Sequence, residues 1–155
     1  CLYFGLMITP NGPKVIEYNC RFGDPETQVV LPLLASDLLT VMQAVSAEKL
    51  AETEVIFKQK HACCVVTASG GYPESYPKGY EITMTAEAAA HTYVAGGKLE
   101  NGKLVTSGGR VTGTTAVENS LAEAVKEAYR LADGVVFQNA YRRKDIGQKG
   151  LAAYK

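Results

Sequence analysis

The sequence predicts an α/β protein of the α+β kind, with antiparallel strands and separate helices. Short runs rich in β-branched and aromatic residues are joined by the turn sequences Asn11-Gly12 and Asn101-Gly102, and Asn-Gly between such runs indicates an antiparallel hairpin. Apolar residues recur at helical spacing in two other stretches, 38–47 and 121–131. We therefore expect small antiparallel sheets accompanied by helices.

Composition and charge bound the possible functions. The 155 residues suffice for one ordinary domain or two small ones, and 46% hydrophobic with 21% charged residues is typical of a globular chain. The 16 basic and 16 acidic side chains cancel, which leaves no broad electrostatic surface for nucleic acid or an anionic membrane. The longest apolar runs, such as 29–35, are too short to span a bilayer. We expect neither a nucleic-acid nor a membrane partner.

The first element is a predicted hairpin of strands Leu2–Thr9 and Lys14–Cys20, joined through Pro10 to Pro13. Both Asn11 and Gly12 tolerate the positive φ that a tight turn requires. The first strand begins at Cys1 without a methionine. This start suggests a segment of a longer protein.

Two helices should follow the hairpin. Asp24-Pro25 is a helix start, because aspartate caps free amides and proline suits the first helical position. This helix should run to about Leu34, and Ser36-Asp37 should begin a second one that ends near Ala47.

A domain boundary is predicted near residue 59, where single apolar residues among charged ones replace the helical pattern. Residues 1–59 then form one part and residues 60–155 a second. In the second part, Ser120 and Glu123 form a capping box that opens a helix with an apolar stripe, ending before Gly134. The strands predicted there are 61–68, 80–84, 92–95, 103–107, 110–116 and 135–137.

The four cysteines are interpreted as free thiols in a reducing compartment, which predicts a cytoplasmic protein. Cys63 and Cys64 are adjacent in an apolar run, and Cys20 lies in a strand-like segment without an evident base beside it. His61 and His91 lack Cys or Glu at ligand spacing. We expect structural or exposed histidines and no zinc site.

The segment from Glu17 to Glu26 carries the chemistry. Alternation along a strand places Glu17, Asn19 and Arg21 on one face. Carboxylate and amide oxygens suit Mg²⁺, and a neighbouring arginine can hold phosphate or stabilise an oxyanion. Asp24 and Glu26 add acid at a helix start. The same pattern also fits a solvated strand face, with Asp24 as a cap and Arg21 paired to Glu26.

The motif resembles a known enzyme family. Glu17, Asn19 and Arg21 are similar to the Glu-x-Asn-x-Arg metal motif of ATP-grasp enzymes. The string from Asn19 to Gln28 resembles the narrower signature of glycinamide ribonucleotide synthetase, also called phosphoribosylamine–glycine ligase. Further strings of that family occur in the family's order, at 12–15, 70–73, 78–82, 106–111 and 141–147.

The resemblance implies a fold and a reaction. Residues 1–59 would be the end of an ATP-grasp catalytic lobe, and residues 60–155 the family's C-terminal domain, a small antiparallel sheet with helices. The parent ligase would join glycine to 5-phosphoribosylamine through glycyl phosphate, giving glycinamide ribonucleotide, ADP and phosphate in purine biosynthesis. Its partners would be ATP, glycine, 5-phosphoribosylamine and the N-terminal ATP-binding domains of the parent chain.

The resemblance also implies residue roles. Glu17 and Asn19 would bind Mg²⁺, with Mn²⁺ as the alternative metal. Arg21 would stabilise the acyl phosphate and the tetrahedral intermediate, so it is both the catalytic and a substrate-binding candidate. Asp24 and Glu26 would position amine substrates.

The sequence leaves some alternatives open. No Gly-rich phosphate loop joins a strand to a helix, so we expect these 155 residues to be inactive alone. Gly108-Gly109-Arg110 is interpreted as a glycine bulge or as a loop touching the substrate pocket. The basic run 141–144 is interpreted as a solvated turn or an internal ion-pair partner. A non-catalytic binding or assembly module and another ATP-grasp ligase or carboxylase are the alternative functions.

Overall fold

The computed structural model describes residues 1–153 and contains antiparallel strands and short helices, as the sequence predicted. The strands are β1 (Tyr3–Thr9), β2 (Gly12–Asn19), β3 (His61–Ser69), β4 (Thr83–Met84), β5 (Thr92–Val94), β6 (Gly97–Glu100), β7 (Lys103–Thr106), β8 (Arg110–Glu118), β9 (Val135–Val136) and β10 (Ala140–Tyr141). The helices are α1 (Thr27–Leu33), α2 (Leu38–Ser46), α3 (Ala86–Ala90), α4 (Leu121–Ala132) and α5 (Gln148–Ala153), with a 3₁₀ turn at Leu50–Glu52.

The first hairpin has the predicted strands but a different turn. Thr9 pairs with Gly12, so Pro10 and Asn11 are the two central residues. Gly12 has φ +88°, whereas Asn11 is not among the residues with positive φ. An Asn11-Gly12 turn would be closed by Pro10 and Pro13, and neither proline has the N–H that such a closing pair exchanges, so the turn shifts by one residue. At the second predicted turn both Asn101 (φ 52°) and Gly102 (φ 77°) take the left-handed conformation.

A four-stranded antiparallel sheet organises the remainder of the chain, in the order β10-β3-β8-β5. One face of β3 and β8 packs against α4, and the cluster includes Cys63, Val65 and Ala116 from the strands with Ala124 and Ala128 from the helix. The alternate residues of the same strands face α1, because neighbouring side chains point to opposite sides of a sheet. The sheet therefore lies between α4 and α1.

A second core cluster lies at the other end of this sheet. It joins Val111 of β8 to Ala88 of α3 and to Ile82, Val135 and Phe137. The pairs β4-β9 and β6-β7 border this cluster. Strand β6, strand β10 and helices α3 and α5 were not predicted.

The helix after the first hairpin begins later than predicted, and Asp24 does not cap it. Helix α1 starts at Thr27 after Glu26, which makes no side-chain capping bond. The second helix, α2, begins after Asp37 as predicted, and the Asp37 carboxylate caps it by accepting a 2.7 Å hydrogen bond from the Thr40 amide. None of the helices in residues 1–153 combines the length and the apolar character that crossing a bilayer requires.

Candidate active site

The predicted metal-binding pair lies on β2, the second strand of the first hairpin. Glu17 pairs with Gly5 and Asn19 pairs with Tyr3 across the hairpin, so all four residues share one face of the two-stranded sheet. A Cβ atom at Gly5 would lie 2.9 Å from Cγ of Glu17. The Glu17 side chain therefore lies across β1 in the space that the glycine leaves, on the same face as Asn19.

Tyr3 joins this pair to Glu26. The Tyr3 hydroxyl lies close enough to the carboxylates of Glu26 and Glu17 for both charges to act on it. Desolvation, followed by the negative charge of Glu26, raises the pKa of Tyr3. The Glu26 side chain also covers buried Gly23, where an added Cβ would overlap its carboxylate. Glu17, Asn19 and Glu26 thus converge around a tyrosine that the sequence reasoning missed.

Arg21 lies outside the strand on which alternation had placed it. Strand β2 ends at Asn19, and residues 20 and 21 form a bend, so the two-residue period no longer fixes the direction of Arg21. Its Nη1 atom donates a 2.9 Å hydrogen bond to the Phe22 carbonyl. The side chain borders an open cavity of about 400 Å³ that is also lined by Phe22, Gly23, Asp24, Thr27, Gln28, Leu31 and Tyr93.

Asp24 lies in the same cavity wall and has three contacts. Its Oδ1 atom accepts a 2.8 Å hydrogen bond from Gln28 Nε2, and its Oδ2 atom lies 3.2 Å from Arg110 Nη2. Its main-chain carbonyl accepts a 3.1 Å hydrogen bond from Arg110 Nη1. The structure therefore places Arg110, from the Gly108-Gly109-Arg110 segment, beside the predicted site. The predicted site residues form two groups. Glu17, Asn19 and Glu26 lie around Tyr3 and form the Tyr3 face, whereas Arg21 and Asp24 line the cavity.

The oxygen donors on the Tyr3 face fit a hard cation for which water and substrate would supply most of the ligands. Glu17 is exposed and Asn19 is half-buried, so a carboxylate and an amide oxygen remain accessible. Among residues 1–153, no cluster of three or more His, Cys, Asp or Glu side chains is arranged to enclose a metal. Mg²⁺ commonly binds through one or two protein oxygens together with phosphate oxygens and waters, which matches this pair.

The cysteines play no visible part in the site. All four are free, with Cys1 and Cys20 exposed. Burial raises the pKa of Cys63 to about 11, and burial also raises the pKa of Cys64. Raised pKa values keep these thiols protonated and poorly nucleophilic near neutral pH.

Comparison with known proteins identifies the family. The family model described as "Phosphoribosylglycinamide synthetase, C domain" matches residues 62–149, more than half of the chain. The chain belongs to the phosphoribosylglycinamide synthetase family. The model of the same family's ATP-grasp (A) domain matches residues 1–27, which include Glu17, Asn19 and Arg21. The family assignment decides against the alternative of a different ATP-grasp ligase or carboxylase.

Relatives within the phosphoribosylglycinamide synthetase family are similar along almost the whole chain. A bifunctional purine biosynthetic protein of Pichia angusta is 51% identical over 96% of this chain and 19% of its own length. A phosphoribosylamine–glycine ligase of Synechocystis is 49% identical over 97% of this chain and 37% of its own length. The crystal structure of the Thermotoga maritima phosphoribosylamine–glycine ligase has a TM-score of 0.76, with 36% identity over 94% of this chain and 36% of that one. The chain thus spans well under half of each relative.

Proposed function

We propose that this chain supplies part of the active site of a phosphoribosylamine–glycine ligase. The ligase would convert ATP, glycine and 5-phosphoribosylamine into glycinamide ribonucleotide, ADP and phosphate. The observation that carries the proposal is the convergence of Glu17, Asn19 and Glu26 around Tyr3, within a chain of this family. A domain boundary near residue 59 and a cytoplasmic location are parts of the same proposal.

Glu17 and Asn19 would hold Mg²⁺ through their side-chain oxygens. Bound there, Mg²⁺ would offset the negative charge that accumulates when glycine's carboxylate meets the ATP phosphates. Tyr3 supports this role because its hydroxyl lies near the carboxylates of both Glu26 and Glu17. The raised pKa of Tyr3 keeps the hydroxyl protonated as a donor at neutral pH.

Arg21 is proposed to stabilise negative charge on the acyl phosphate and on the intermediate that forms when the amine attacks it. A guanidinium presents several donors in a fixed plane, which matches phosphate and carboxylate oxygens. The Arg21 side chain is exposed at the open cavity and donates the hydrogen bond described above from Nη1. Asp24 and Glu26 would position amine substrates through their negative charge.

The proposal is tested by assaying the full-length protein that contains this chain for glycinamide ribonucleotide with MgATP, glycine and phosphoribosylamine. The wild type should require all three substrates, and Glu17→Gln should lower kcat by at least about a hundredfold, a loss typical of a removed charge-stabilising group. Glu100→Gln is the matched control, since Glu100 pairs with Lys98 in the β6-β7 hairpin. Full activity in Glu17→Gln, or no glycine-dependent product from the wild type, would refute the proposal.

A further inference from the structure

Arg110 makes a contact that links two distant parts of the chain. Nη1 binds the main-chain carbonyl of Asp24 at 3.1 Å and Nη2 lies 3.2 Å from its carboxylate, across 86 residues of sequence. Both side chains are about half exposed, at 41% and 51%. An exposed ion pair contributes little stability, but a guanidinium that binds both a carbonyl and a carboxylate fixes the orientation of the residue it contacts.

The position of Arg110 is itself set by buried backbone. Gly109 is buried beneath the Tyr72 ring, and an added Cβ there would overlap the ring. Ser69 holds the same turn through a 2.9 Å hydrogen bond from its hydroxyl to Gly108 and a 2.8 Å bond from its amide to Gly109. Arg110 then begins β8 opposite Ala68 of the buried strand β3. The backbone of Arg110 is thus held at the first residue of β8, a strand paired on both sides within the sheet.

The sheet holds the same segment at a second point. The Thr115 hydroxyl, also on β8, donates a 3.0 Å hydrogen bond to the main-chain carbonyl of Gln28. Gln28 in turn donates to the Asp24 carboxylate. Strand β8 therefore fixes Asp24 from two directions, directly through Arg110 and indirectly through Gln28.

We propose that Arg110 is a positioning residue that orients the Asp24 carboxylate toward the amine of phosphoribosylamine. This inference rests on the proposed function, in which Asp24 positions amine substrates. Arg110 acts through Asp24, so its loss affects the step that uses the amine and leaves ATP and glycine binding unchanged. Strand β8 of the four-stranded sheet thereby fixes the orientation of Asp24, which is a specificity-determining residue of the site.

The test is steady-state kinetics of the full-length protein with Arg110→Ala, Arg110→Lys, Asp24→Asn and the double variant Arg110→Ala/Asp24→Asn. Arg110→Ala should raise the KM for phosphoribosylamine by about tenfold or more, with the KM values for ATP and glycine unchanged, because misplacing one binding group acts on one substrate. Arg110→Lys should give an intermediate KM, since lysine keeps the charge but not the two-point geometry. The double variant should be no worse than Asp24→Asn alone, because both changes remove the same interaction.

Arg130→Ala is the control, because Arg130 forms exposed ion pairs with Glu87 and Glu127 and does not line the cavity. Thermal unfolding of every variant separates lost orientation from lost folding, and Arg110→Lys provides a folded variant if Arg110→Ala unfolds. An unchanged phosphoribosylamine KM in an active Arg110→Lys or Arg110→Ala enzyme would overturn this inference alone. Equal rises in all three KM values would also overturn it. A wild type without ligase activity would overturn the proposed function as well.

Discussion

At the scale of single residues, two glycines leave the space that neighbouring side chains occupy. Gly5 lets the Glu17 side chain lie across strand β1, and Gly109 lets the Tyr72 ring lie against the turn before Arg110. Neither glycine has a positive φ, so close approach rather than backbone conformation explains the residue type. The missing side chains at Gly5 and Gly109 therefore leave room for Glu17 on the Tyr3 face and for Tyr72 against the turn that precedes Arg110.

The packing of Tyr72 on Gly109 gives a prediction about stability. Gly109→Ala should lower the free energy of unfolding by about 1–3 kcal/mol, the usual cost of forcing extra volume into a packed position. In a Tyr72→Ala background the same change should cost less than half as much, because the ring that it overlaps is absent. Urea unfolding of the four proteins measures both costs. Equal costs in the two backgrounds would show that the ring is not the obstacle.

At the scale of elements, α4 is the helix that the sequence predicted best. Its buried residues recur every three or four positions and pack on β3 and β8. The Ser120 hydroxyl accepts a 3.2 Å hydrogen bond from the Glu123 amide and donates a 2.9 Å bond to the Glu123 carboxylate. The N-cap bond of the predicted capping box is thus present, but the glutamate carboxylate binds the serine hydroxyl and not the serine amide.

The cap of α4 should contribute measurably to stability. Ser120→Ala should lower the free energy of unfolding by about 1 kcal/mol, the typical value of an N-cap, while Ser120→Thr should retain most of it. Ser75→Ala, at an exposed position outside the helices, is the control. Chemical denaturation gives the differences directly. A Ser120→Ala protein as stable as the control would mean that water replaces the cap without loss.

At the scale of the whole molecule, hydrophobic burial is uneven. Within the part of the chain that the structure describes, every buried hydrophobic side chain lies between residues 63 and 137. The first hairpin is instead exposed, with Leu2, Ile8 and Tyr18 at 75%, 77% and 69% exposure. Burial of apolar surface is the main force that stabilises a fold. The second part of the chain therefore holds the stable core.

This distribution predicts how the chain divides. Residues 60–155 alone should unfold cooperatively, within about 5 °C of the complete chain, a shift that corresponds to roughly 1 kcal/mol in a domain of this size. Residues 1–59 alone should show no cooperative transition. Circular dichroism melts of the three proteins measure this outcome. Cooperative unfolding of residues 1–59, or an unfolded 60–155 segment, would place the domain boundary elsewhere.

Local patterns made much of the fold predictable. Runs of strand-forming residues bounded by turn residues located the first hairpin, β3 and β8, and a capping-box sequence with an apolar stripe located α4. These signals act over a few residues and need no tertiary contact. The same reasoning failed for Asp24, because α1 begins three residues later, and for Arg21, because β2 ends at Asn19.

The sequence by itself determined the family, the antiparallel character of the fold and the placement of Glu17 and Asn19 on one strand face. Ordered motifs and strand periodicity are local properties, so they can be read without tertiary contacts. Only the tertiary structure brought Glu26 to Tyr3 and Arg110 to Asp24. The second of these contacts joins residues 86 positions apart. Such a contact depends on how the sheet and the Asp24 segment pack together, and no spacing in the sequence encodes that packing.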